Sequence, residues 1–481
     1  MFPFCILLAS IAFAAGQGAS ESPPALPVLE GGSAVAPPVV LPSSGEPSAR
    51  GLSPKEPSPA ESSPREGVLS APPRVLLVTF GPGDEVYAWW GHIALVVEEP
   101  REGPQGEMWM RSQMYNYGTF VFDNKMLANF AMGRLEFWLE ATVVVPVLEA
   151  YAQDDRDIRL LPFQLTPKEA RDMAAALREN ALPQNRHYLY HHYNDNCATR
   201  IRDIWDRVVL NGQFSAWLKE QPARMRIREH TRRYSAVNWP MMLLLDFMQN
   251  DELDKRITAY EETFLPDELE RRLLEFSASR AEPLTAKPRD FSKAQKRAAP
   301  REEPPKTELS CLGAGMGFAF VAGALGHWAS QRRRWARRGL GLWGMLWFLL
   351  WGFLGTALLA MQFTDHTVTH GNENLFLANP LLLLGVVWAW PFMRKGTQRA
   401  TERLAWLCLG IAALSWLGLV LKVLPVFDQN NWNMLALVLP VHSALALVFW
   451  ALARKKAGEP EAAPPASSPK DLKARKPAPT T

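Results

Sequence analysis

The chain has 481 residues, of which 48% are hydrophobic, and it sets 52 Lys and Arg against 49 Asp and Glu for a net charge of +3. So even a balance gives no case for nucleic acid as a partner, since that interaction rests on clustered cationic charge. Four cysteines are present, Cys5, Cys197, Cys311 and Cys408, and only Cys197 lies outside an apolar run, so no disulfide framework is expected and one reactive thiol is left over.

Phe2 to Ala15 is apolar, too short to span a bilayer comfortably, and ends in Ala12-Phe13-Ala14, which reads as a secretory leader over residues 1–16. Residues 17–72 are rich in Pro, Ser, Gly, Ala and Glu and nearly free of aromatics; that composition cannot bury a core and reads as a disordered spacer. A globular domain is expected over 73–280, long enough for one real core. Within it, Arg74–Phe80 reads as a buried strand closed by Gly81-Pro82-Gly83, Gly91–Val97 as a second strand, and Met110–Tyr117 as a third ending at Gly118. Thr166-Pro167-Lys168-Glu169 has capping-box spacing with Pro at the first helical position, which predicts a helix to about residue 180. Tyr188–Tyr193 is expected to be extended. Asn194 to Asn196 supply caps for a helix with Ile201, Ile204, Trp205 and Val208 on one face. The fold class is therefore α+β, a small antiparallel sheet with helices against it.

A Pro- and Lys-rich linker is expected over 281–308, followed by five apolar stretches of about twenty residues near 309–329, 340–361, 377–393, 404–424 and 434–452, each long enough to cross a bilayer. Arg332 to Arg338, Arg394 to Arg403 and Arg454 to Lys456 supply basic clusters, whereas loops 362–376 and 425–433 contain neither Lys nor Arg. The positive-inside rule puts the basic loops and the disordered tail, 453–481, in the cytoplasm and the amino-terminal domain outside. Lys293, Lys296, Arg297, Arg301 and Lys306 resist that assignment, but large domains translocate regardless of charge, and this stretch suits anionic head groups.

A helix starting at Asn196 puts Cys197 in its first turn, where free amides and the helix dipole favour a thiolate and lower the thiol pKa toward neutrality. The same amides offer an oxyanion hole. His92, beside the permissive Gly91, is the candidate base, and Asn116 at the end of the next strand is the candidate to orient its imidazole. The plain alternatives are a small core filler for Cys197, a satisfied strand histidine for His92 and a backbone-bonded amide for Asn116. His187, His191 and His192 lie close by, but along an extended segment the last two point to opposite faces, so no metal is expected. Asp365, His366, His370, Asn372 and Asn374 read as a polar lid or a head-group site, and His442, inside the last apolar stretch, as a helix-packing residue.

Gly91-His92, Asn116-Tyr117-Gly118-Thr119-Phe120 and Asn196-Cys197-Ala198-Thr199-Arg200 together resemble the Lnb-type lipoprotein N-acyltransferase family, as do Phe264-Leu265-Pro266-Asp267 and the loop from Asn372 to Asn379-Pro380. The resemblance covers roughly 73–280 and extends into the membrane region. Its order, histidine strand before cysteine helix, is similar to permuted papain-like folds of the lecithin-retinol acyltransferase kind. It implies an enzyme without a cofactor that takes an acyl chain from a membrane phospholipid onto Cys197 and passes it to the α-amine of a diacylglyceryl-cysteine lipoprotein, with Tyr117, Asn196, Arg200, His366, Asn372 and Asn374 contacting substrate. Trp89-Trp90 before Gly91 departs from the pattern with bulk that would alter access. Two readings from other classes stand beside it: an exported cysteine peptidase or amidase of cell-wall peptides, and a membrane scaffold without catalysis.

Overall fold

The computed structural model describes residues 71–102, 108–120 and 124–457, so the expected leader, nearly all of the spacer and most of the tail fall outside the described residues. The chain divides into two units, one holding the residues up to Pro305 together with Gln362–His370, the other Lys306–Met361 and the chain from Gly371 onward.

The first unit is built on a seven-stranded sheet in the order β6-β4-β3-β2-β1-β5-β7. Its strands are β1 (Arg74–Phe80), β2 (His92–Glu102), β3 (Met108–Thr119), β4 (Leu135–Val143), β5 (Ile158–Pro162), β6 (His187–Tyr190) and β7 (Arg289–Ser292). Every neighbouring pair is antiparallel. The helices are α1 (Asn124–Ala131), α2 (Val144–Gln153), α3 (Pro167–Asn180), α4 (Cys197–Trp205), α5 (Gln213–Glu220), α6 (Ile227–Ser235), α7 (Trp239–Met248), α8 (Ala259–Glu262) and α9 (Pro266–Ala278). The near-continuous apolar run of β1 has a direct cause: both of its faces are covered. Leu77, Ile93, Leu95 and Tyr115 pack against α3, α4 and α9 through Met173, Leu177, Ile201, Trp205 and Leu273. Val78, Phe80, Ala94 and Met114 face α2 through Val147, Leu148 and Tyr151. The Thr166 cap forms as expected, with Glu169 N donating to Thr166 Oγ1 at 3.3 Å and Thr166 N to Glu169 Oε2 at 2.8 Å.

Three expectations need correction here. The extended segment stops at Tyr190, and residues 191–195 form a tight turn in which His191 and Asp195 exchange backbone hydrogen bonds of 2.9 and 3.0 Å. The stretch 281–308 is not a free linker, because β7 adds to the sheet beside β5 and Asp155 accepts the backbone amides of Gln295, Lys296 and Arg297. Five full-length spans are also not what folds. The second unit holds α10 (Glu308–Ser330), α11 (Arg334–Met361), α12 (Leu382–Lys395), α13 (Gln398–Val420) and α14 (Trp432–Ala457). Four of these helices are long and apolar enough to cross a membrane. The third, α12, has 14 residues and reaches about 21 Å, short of the ~30 Å hydrocarbon layer. Pro380, in the turn before α12, cannot donate a backbone hydrogen bond, and Leu377 and Ala378 instead donate to Asn374 O, so the apolar run enters its helix late.

Candidate active site

Asn196 caps α4 by accepting the amides of Ala198 and Thr199 on Oδ1 at 2.9 and 3.0 Å, while its Nδ2 donates to His192 O at 2.7 Å and Phe264 O at 2.9 Å. Its amide is thereby saturated and 4% exposed, so it builds the turn and has no group left for substrate, contrary to expectation. The cap also claims two of the amides expected to form the oxyanion hole; in the first turn Cys197's own N–H remains. Ala198, Ile201, Ile204 and Trp205 bury the helix face behind the cysteine, and Trp205 stacks on Phe163 with ring centroids 3.7 Å apart. Arg200 forms a bidentate ion pair with Asp195 at 2.5 and 2.6 Å and lies over the Tyr188 ring at 4.2 Å. It braces the turn and does not reach the pocket, a second correction.

His92 is the first residue of β2. Gly91 before it adopts φ +74°, and a Cβ there would sit 2.7 Å from Phe80 O, so only glycine lets β1 close on this corner. His92 Nε2 lies 2.6 Å from Asn116 Oδ1. An amide oxygen accepts, so Nε2 carries the proton and Nδ1 is the free base. The imidazole is nearly parallel to Tyr151 at 6.4 Å. The backbone amide of Ile93, the residue next to His92, lies near enough to the Cys197 sulfur to favour its thiolate, and thiol and imidazole line the same cavity.

The electrostatics overturn the expected thiolate. Burial pushes the Cys197 thiol up to about 11, against the lowering effect of the amides of Ile93, Ala198 and Cys197 itself. Burial likewise lowers His92 to about 4, with the Asn116 hydrogen bond opposing it and the Arg156 charge adding to it. At neutral pH the resting pair is therefore neutral thiol and neutral imidazole. Burial raises Tyr151 to about 12 and raises Tyr188 and Tyr190 as well, and in each the nearness of the Cys197 sulfur adds to the rise.

Cys197, His92 and Asn116 open into a common cavity of about 190 Å³. Phe130, Phe137, Tyr151 and Tyr190 make its apolar walls, and Tyr117 lines it with its hydroxyl held by Asn180 Nδ2 at 2.9 Å. One wall comes from far along the chain: Asp365, His366, Thr367 and Val368. That segment is pinned by His366 Nε2 to Phe130 O at 2.8 Å, by Asn250 N to Val368 O at 2.8 Å, and by the Arg134–Asp365 ion pair at 2.6 Å. Gly133, at φ +79°, permits the approach, since a Cβ there would lie 2.9 Å from the Asp365 carbonyl carbon. His366 is thus a wall residue, held by burial at about 4 and neutral. Asn372 and Asn374 are not with it. They are buried in the helical unit, where Asn372 Oδ1 accepts from Gln429 Nε2 at 3.1 Å and Asn374 Oδ1 from Asn431 Nδ2 at 2.9 Å. The loop expected as one polar cluster is divided between two units.

Trp89 and Trp90 turn away from the cavity into a cluster with Tyr193, Tyr234 and Phe264, so the expected obstruction is absent. His187 sits by Glu136 at 3.5 Å and His191 Nδ1 accepts the amides of Tyr193 and Asn194, so the histidines near the cysteine do not converge. His230, Glu262 and Glu268 do converge, but Arg272 and Arg271 bond both carboxylates and the group forms an ion-paired core. His442 bonds Ser415 Oγ through Nδ1 at 2.9 Å within the helical unit. The sequence reading missed Tyr151, Tyr190 and Arg156. Arg156 stands in Asp154-Asp155-Arg156-Asp157, which looks like a solvated charge run, yet it is 3% exposed.

Residues 70–233 match the family model of the Lnb N-terminal periplasmic domain. No curated protein and no solved structure matches the chain.

Proposed function

From an Lnb-type chain, with its periplasmic domain at residues 70–233 and apolar helices that make it a membrane protein, we propose a lipoprotein N-acyltransferase that works through a thioester on Cys197. The observation that carries this reading is the shared cavity: Cys197, His92 and Asn116 line it together, and Asn116 fixes the imidazole's tautomer at 2.6 Å. A half-buried neutral thiol is a poor nucleophile until its proton leaves, so His92 Nδ1 takes that proton as the sulfur attacks the ester carbonyl of a phospholipid. The developing oxyanion is stabilised by Cys197's own amide. Collapse breaks the acyl–oxygen bond, and the imidazolium returns the proton to the departing glycerol oxygen. In the second half the α-amine of a diacylglyceryl-cysteine attacks the thioester, loses a proton to His92, and the sulfur leaves and takes that proton back. The aromatic walls suit an acyl chain.

The antiparallel sheet, with the histidine strand preceding the cysteine helix, supports a permuted papain-like fold. The basic clusters at Arg332–Arg338, Arg394–Arg403 and after Leu452 support a cytoplasmic carboxyl terminus with the active site on the outer face of the inner membrane. The test is mass spectrometry of lipoprotein amino-terminal peptides from cells lacking their own N-acyltransferase. A third acyl chain should appear with the wild-type protein and vanish with Cys197→Ser; no third chain in either strain refutes the reading.

A further inference from the structure

Arg156 follows α2 and enters β5, and its side chain lines the same cavity as Cys197 and His92. Its Nε donates to Gly81 O at 2.8 Å, and its guanidinium lies over the Tyr151 ring, 4.5 Å from the centroid. The Nη2 atom is buried and has no hydrogen-bond partner. Asp154 acts on it only through space, and no carboxylate pairs with it among the described residues. The other buried arginines of this unit are different. Arg228 is matched by Asp246 and Asp254, Arg232 by Asp246, and Arg272 by Glu262. A buried guanidinium without an anion is costly unless a partner arrives, and its planar fork fits two oxygens of a tetrahedral phosphate. It also stands close enough to His92 for its charge to act on the imidazole.

We propose that Arg156 is the phosphate subsite of the pocket: its free Nη2 edge takes the phosphodiester oxygens of the acyl donor and so sets the neighbouring glycerol ester before the Cys197 sulfur. This deepens the acyltransferase reading and rests on it, since in a phospholipid the phosphate and the acyl esters share one glycerol. It assigns the donor class: an anionic phosphodiester lipid is accepted and a neutral diacylglycerol is not.

Binding can be scored apart from turnover. Full-length protein in detergent is alkylated with N-ethylmaleimide, and modification of Cys197 is followed by peptide mass while dihexanoyl phosphatidylglycerol, dihexanoylglycerol, hexanoate or inorganic phosphate is added. The phosphorylated lipid should protect Cys197, reversibly on dilution, at a concentration at least tenfold below that needed for dihexanoylglycerol. Arg156→Gln should remove that difference and Arg156→Lys should keep part of it, each protection being read against that variant's own lipid-free alkylation rate. Equal protection by the phosphorylated and neutral lipids in the wild type overturns the proposal even if the variants fail to fold. Protection by hexanoate or inorganic phosphate at the same concentration as the phosphorylated lipid also overturns it, since the site then holds a carboxylate or a free ion. If the subsite behaves as described but no third acyl chain forms on lipoproteins, the acyltransferase reading fails and the phosphate subsite stands.

Discussion

Burial sets the chemistry of Cys197 more strongly than its place at a helix start does. The dipole and first-turn amides contribute a lowering, but removal from water dominates and the thiol is held near 11. Alkylation of Cys197 by a small neutral reagent should therefore keep rising with pH beyond 9; a plateau near pH 7 would show a resting thiolate and refute this electrostatic account. Asn116 acts through His92, and its exchange for Ala frees the imidazole to rotate and change tautomer. We expect kcat to fall by about 10²-fold, within the range that positioned acid–base groups supply, with little change in KM. Asn196→Ala is a different kind of loss. It removes the cap of α4, costing about 1–2 kcal/mol, and strands the carbonyls of His192 and Phe264, so a lower melting temperature should accompany lower activity.

At the scale of elements, the pocket wall carries several neutral histidines. His92 and His366 are lowered to about 4 and His192 to about 3, each chiefly by burial. The unfolded chain takes up protons at these positions once the pH falls below about 6.5, and the folded chain does not until near 4. Stability is therefore lost as pH falls through that window, and the melting temperature of the sheet unit should drop by several degrees from pH 7 to 4.5; an unchanged or rising value contradicts it. The sequence showed the elements whose signal is local: the β1 run, the Thr166 cap, and the α4 face with its cysteine. It could not show β7, because Arg289–Ser292 has neither apolar alternation nor turn punctuation and is a strand only because β5 offers it an edge. Arg200 and Asn196 were legible as special but not for the right reason, since an ion pair to Asp195 and a saturated cap are visible only once the turn is closed. Position along the chain likewise hid Arg156, whose acidic neighbours suggest solvent.

For the molecule as a whole, the described cavity needs a segment that the family match does not contain, because residues 365–368 lie outside 70–233. Replacing 365–368 with a Gly-Ser stretch should leave the sheet unit folded while opening its pocket. Bulky maleimides should then label Cys197 at least several-fold faster than in the full chain, and thioester formation should fall; unchanged labelling would show that the wall does no shielding. That wall follows directly from α11 in the chain, since Gln362 is the residue after Met361. The ribosome completes the cysteine, histidine and asparagine long before it makes this piece. A growing chain therefore holds a pocket one wall short until residues 334–361 have been made, and the cavity around Cys197 is closed on that side only by what the chain adds after them.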